Sequence, residues 1–153
     1  MSITLLGNNK MDMILFDSDW DRAPQAIADT KTKNTTFLKL AHLYRTELKI
    51  KNWKFCLALL QPDLQGVDPY DPFLDRVTKA KIAFECKYNP WYYFREVARV
   101  PSTSGPIPAA FRANRGNIAL YWSFFNHVDF GLLQPRQTGK SVSTDMLMIG
   151  IMY

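Results

Sequence analysis

The chain has 153 residues, the size of one domain: long enough to bury a core and too short for two catalytic domains. Hydrophobic residues make up 47% and charged residues 22%, which excludes wholesale disorder, and a formal net charge of +5 permits nucleic-acid contact without demanding it. Cys56 and Cys86 lack C-x-x-C spacing and a nearby histidine, so both are expected as reduced core residues; without a basic-then-apolar leader or an unbroken membrane-length apolar run, a soluble intracellular protein is expected.

In chain order, residues 1–33 mix apolar patches with acids and no sustained periodicity, which predicts an irregular segment or docking arm. Asp17, Asp19 and Asp21 form a tight acidic cluster without metal-loop spacing and are expected as an exposed strip. Asn34 stands at an N-cap position, and Phe37, Leu40, Tyr44 and Leu48 follow at helical spacing. A second apolar run, residues 53–60, stops at Pro62, before a loop rich in Pro, Gly and Asp. Asp71 and Pro72 read as a cap and first-turn proline, after which Phe73, Val77, Ala80 and Phe84 trace one face of a helix. Asn89 and Pro90 repeat that arrangement and open a helix that must end by Pro101.

Trp91, Tyr92, Tyr93 and Phe94 beside Arg95 and Arg99 suit either stacking on single-stranded nucleic acid or a core helix; four successive aromatics cover every helical face, which favours the core. His42 and His127 have no partners at ligand spacing and read as packed or surface residues. Three prolines and a glycine between 101 and 108 make the clearest linker. Ile118, Trp122 and Phe125 then recur at helical spacing, and residues 128–133, short and partly alternating, predict a strand entering a buried sheet.

Residues 134–141, Gln-Pro-Arg-Gln-Thr-Gly-Lys-Ser, follow that strand and precede an apolar stretch fit for a buried helix. This is a phosphate-binding context. Gly139 leaves no Cβ in the way of inward-turned backbone N–H groups, Lys140 would reach β and γ phosphates, and Ser141 would place a hydroxyl on Mg²⁺. Gln134 replaces the first glycine of G-x-x-x-x-G-K-[ST], so a loop of non-standard shape is expected.

The loop resembles the variant Walker A motif of the large terminase subunits of tailed bacteriophages, the DNA-packaging motors, in which an arginine and a glutamine precede x-G-K-[ST] and the leading glycine is often lost. Residues 86–101 look like the aromatic helix carried before the ATPase core, and residues 110–117 stand where the family places its adenine-recognition segment; the match covers residues 86–153. The resemblance implies ATP and Mg²⁺ as cofactors, held by Gln134, Pro135, Arg136, Gln137, Thr138, Gly139, Lys140 and Ser141. Lys140 and Arg136 would have catalytic roles, Arg136 acting in cis on the γ phosphate, and Ser141 would be the metal ligand. A cation there is sensible, because charge spreads over the transferring phosphoryl oxygens. The family expects a glutamine for the base where this chain offers Arg115 or Asn117, and Arg112 and Arg115 also suit a solvated helix surface.

The expected fold class is α/β, a helix-rich N-terminal portion of a P-loop NTPase domain with an incomplete sheet: residues 1–100 mainly helical, 101–109 a linker, and 110–153 the start of a truncated ATPase core. Within these 153 residues neither a Walker B acid after the loop nor a nuclease carboxylate cluster is read. The expected function is therefore the N-terminal, ATP-binding part of a viral DNA-packaging motor, split or truncated and not hydrolysing ATP alone. The partners implied are viral double-stranded DNA, a second chain supplying the rest of the ATPase and the nuclease, and portal and small terminase, with no membrane. By the same resemblance the location is the cytoplasm of an infected bacterial host. A helicase-like fragment and a non-enzymatic interaction domain with an incidental G-K-S turn are the alternatives.

Overall fold

The computed structural model describes residues 25–102, 105–131, 133 and 140–152, with Lys140 described in its backbone only. Strand β1 (Ile27–Ala28) pairs antiparallel with β2 (Ala58–Leu59), Ile27 opposite Leu59. Between them, α1 (Thr35–Thr46) buries Phe37, Leu40 and Tyr44 as their spacing predicts, while Leu48 lies beyond the helix and is exposed. Asn34 holds the N-cap position without capping: its buried amide donates instead to the carbonyls of Arg95 and Phe111, both at 2.9 Å. The apolar run expected over 53–60 forms a 3-10 turn (Phe55–Leu57) leading into β2, with 55–60 all buried. Pro62 opens a second such turn, Pro62–Leu64.

One expectation for α2 is corrected. The helix runs Arg76–Tyr88, one turn later than the Asp71–Pro72 signal suggested. The reason is local: the Asp71 carboxylate accepts from the Phe73 N–H at 2.9 Å and closes a turn of its own, whereas Asp75 accepts from both the N–H and the hydroxyl of Thr78 at 2.8 Å. Asp75 is thereby held below the usual carboxylate range. The apolar side of this segment points outward, with Phe73, Val77, Ala80 and Phe84 exposed; Glu85 and Cys86 are the buried residues. Glu85 fixes that rotation. Its carboxylate lies under β2 and accepts from the N–H groups of Leu60 (2.7 Å) and Gln61 (3.0 Å) and from the Asn89 amide (2.7 Å). Burial pushes the Glu85 carboxyl up, against those three donors pulling it down.

Helix α3 (Pro90–Tyr92) starts where Asn89 and Pro90 predict, the Asn89 side chain accepting from the Tyr92 N–H, and continues as a π-helical turn, Tyr93–Val97. Strands β3 (Arg99–Val100) and β4 (Ala109–Ala110) then pair antiparallel, so the proline-rich run joins the two arms of a hairpin. Helix α4 (Arg115–Phe125) opens on a reciprocal cap between Asn114 and Asn117. The strand anticipated over 128–133 is not found: 128–131 and 133 carry no regular structure, and Val128, Phe130 and Leu133 are exposed. His127 takes a left-handed φ of 54° just after α4, and no other strand among the described residues stands alongside to pair with the segment. Helix α5 (Lys140–Met152) closes the description.

One core joins these parts. Trp91 packs edge-on against Phe55 and Phe125, and Phe94 stacks on Tyr121 at 4.3 Å, so α3 and its π turn are its centre, with α1, α4 and α5 around them. The result mixes helices with two small antiparallel sheets. Cys56 and Cys86 are buried and not joined in a disulfide, in keeping with reduced core residues, and burial pushes Cys56 up to about 12. No helix among the described residues is long and apolar enough to cross a membrane.

Candidate functional site

The G-K-S sequence meets the described structure at α5. Its first residue is Lys140, and the helix expected after the G-K-S sequence is found over Lys140–Met152. Ser141 lies exposed in the first turn. A helix N-terminus leaves backbone N–H groups unpaired and carries partial positive charge, both suited to an anion. Residues 134–139, among them Gln134, Pro135, Arg136, Gln137, Thr138 and Gly139, lie outside the described residues, as does the Lys140 side chain. Asp17, Asp19 and Asp21 also lie outside.

What fixes this helix end is legible in its contacts. Ser143 is buried, its hydroxyl accepts from the Asn117 amide, and its carbonyl accepts from the Tyr121 hydroxyl at 3.0 Å. Burial pushes the Tyr121 phenol up, with the Ser143 bond opposing it. Further along, Met146, Leu147 and Gly150 bury one stripe of α5, and Gly150 lies so close to Phe94 that an added Cβ would stand 3.1 Å from two ring atoms. The first turn of α5 is thus tied to the first turns of α4, and its far end to the aromatic core.

The two candidates for base recognition part company. Asn117 is buried, its carbonyl oxygen accepting from the Asn114 N–H at 2.8 Å and its NH₂ donating to Ser143, so its amide serves the helix junction. Arg115 is exposed at the start of α4 and lines a cavity of about 690 Å³ on the side of α4 away from α5. Compared with protein-family models, with curated proteins and with solved structures, the chain matches none.

The aromatic helix proves to be core. Trp91, Tyr92 and Phe94 are fully buried, and Arg95 is 1% exposed, which removes the stacking platform on single-stranded nucleic acid. The Arg95 guanidinium donates to the carbonyls of Cys56 (2.8 Å) and Ala58 (3.3 Å) and to Glu96 (2.8 Å), with Asp29 3.7 Å away. Arg99 lies over the Tyr70 ring at 4.2 Å and donates to the Glu96 and Ala98 carbonyls.

Sequence reasoning passed over Asp145. It follows Ser141 at i+4, on the same exposed side of α5, and i,i+4 spacing was the signal that could have found it. Among the described residues no group of three His, Cys, Asp or Glu is placed to hold a metal ion.

Proposed function

We propose that this chain supplies the N-terminal, ATP-binding part of a DNA-packaging motor of the large-terminase kind. The observation that supports this reading is a helix, α5, whose range opens on the lysine of the G-K-S sequence; a helix beginning there would offer first-turn N–H groups to an anion. What supports a nucleotide with Mg²⁺ is that Ser141 is exposed in the first turn of α5 and that Asn117 and Tyr121 fix that turn. Lys140 would bind the β and γ phosphates, Ser141 would hold Mg²⁺, and Arg136 would steady charge on the γ phosphate; hydrolysis would need the acid of the second chain. The Asn117 amide is already engaged and Arg115 lines the cavity on the side of α4 away from α5, so neither is assigned to the base.

The outward face of α5 suits the second chain of this proposal. Val142, Met148, Ile149 and Met152 are exposed there, as on a helix meant to be packed on both sides. Viral double-stranded DNA, portal and small terminase are the partners of the assembled motor in this reading.

Calorimetric titration with Mg-ATP is the test. The intact chain is expected to bind, and Lys140→Ala to bind at least tenfold more weakly, about 1.4 kcal/mol, with unchanged helical content by circular dichroism. Equal affinities, or no binding by the intact chain, would contradict the proposal.

A further inference from the structure

The cavity beside Arg115 is separate from the G-K-S helix. On α4, Asn117 and Tyr121 face α5, while Arg115, Ala119 and Trp122 turn to the cavity, almost half a helical turn away. Its other wall is built by the end of α1 and the turn beyond it, from Tyr44, Lys51, Asn52 and Phe55. At about 690 Å³ it falls within the roughly 300–1,000 Å³ of sites that take a whole small ligand. Of its aromatic residues Tyr44 and Phe55 are buried and stacked on each other, so half-buried Trp122 offers the ring surface, and Arg115 and Lys51 give positive charge.

That charge extends past the cavity. Residues 45–54 carry Arg45, Lys49, Lys51 and Lys54 against one acid, Glu47, and all four cations are exposed. Arg45 and Lys54 lie over the Trp53 ring at 5.2 and 5.6 Å. Lys49 holds a left-handed φ of 50°, in the short turn that carries the chain from α1 to Trp53. A lone anion would need only the cations of the cavity. A basic run leading away from an aromatic hollow fits a polyanion whose flat groups can enter singly.

We infer that the cavity between the end of α1 and the outer face of α4 binds an unpaired base of a single-stranded nucleic acid, with the flanking phosphates on Arg45, Lys49, Lys51 and Lys54. Stacking on aromatic side chains does not depend on base identity, so sequence preference is weak. A duplex is excluded, because its bases are stacked inside and cannot enter without being flipped out. The site does not depend on the nucleotide proposal, and the two can fail separately.

Fluorescence anisotropy with a labelled oligothymidylate tests it. The intact chain binds the single strand at least tenfold more tightly than a duplex of the same length. Ala119→Trp, which fills the cavity from an exposed helix position, weakens binding at least tenfold. Lys51→Glu also weakens it and lowers the slope of log affinity against log salt by roughly 0.7 for the lost phosphate contact. Both variants keep the helical content of the intact chain, and excess Mg-ATP leaves the oligonucleotide bound. Equal affinity for duplex and single strand, undiminished binding by both variants, displacement by Mg-ATP, or thymidine monophosphate competing as well as the oligomer would overturn the inference.

Discussion

Arg95 follows four aromatic residues, and in a linear reading it belongs with the surface cations. It is buried because the turn that carries it is wider than an α-helix. The Ala98 N–H reaches back five residues to the Tyr93 carbonyl at 2.8 Å, which rotates Arg95 and Glu96 inward. Spacing rules built on 3.6 residues per turn cannot anticipate that. Once inside, the guanidinium satisfies carbonyls of Cys56 within the 3-10 turn and Ala58 in β2, and offsets the carboxylates of Asp29 and Glu96. The Glu96 carboxylate also accepts from the Thr32 hydroxyl at 2.5 Å, and Thr32 accepts from the Asn34 N–H. Removing one member of such a buried set leaves the others uncompensated. Arg95→Met is therefore expected to cost about 3–5 kcal/mol, read from urea unfolding. A loss below about 1 kcal/mol would show that the network does not hold the first sheet against the π turn.

The helices were the legible elements, each for a local reason. Asn89 and Pro90 supply a cap and a ready-made first turn, and the Phe37, Leu40, Tyr44 stripe fits one side of α1. The misreadings came where side chains answer to distant partners. Asn34 resembles a cap yet bridges Arg95 to Phe111, and α2 takes its rotation from Glu85 rather than from its own apolar stripe. A strand needs a neighbour for its backbone, and the alternation at 128–133 cannot supply one. The docking of α5 was hidden for another reason. Gly150 reads as a helix weakener, whereas it is the place where α5 approaches Phe94 and Tyr93 most closely. Gly150→Leu should force α5 from that ring at a cost of about 1–3 kcal/mol. Hydrogen exchange should then accelerate in α5 and leave α1 unchanged; equal exchange in both proteins would mean that the close approach is not needed for docking.

At the scale of the whole molecule, the sequence foretold a helix-rich front, and the core confirms a mixed helix and sheet chain whose centre is the aromatic segment after Asn89. The candidate site was legible in its residues and not in its supports. Nothing in residues 134–141 announces that Asn117 and Tyr121 steady the turn after Lys140, because that contact joins segments 26 and 22 residues apart. These ties hold the α5 N-terminus in place before any ligand arrives, so binding a phosphate would not have to offset the ordering of the helix as well. The most direct measurement is the amide NMR spectrum of the chain during titration with Mg-ADP. The account predicts saturable shifts at Gly139, Lys140 and Ser141, transmitted weakly to Ser143 and absent from α1. Amides at 139–141 that stay in place through the titration, while the protein remains folded, would contradict it.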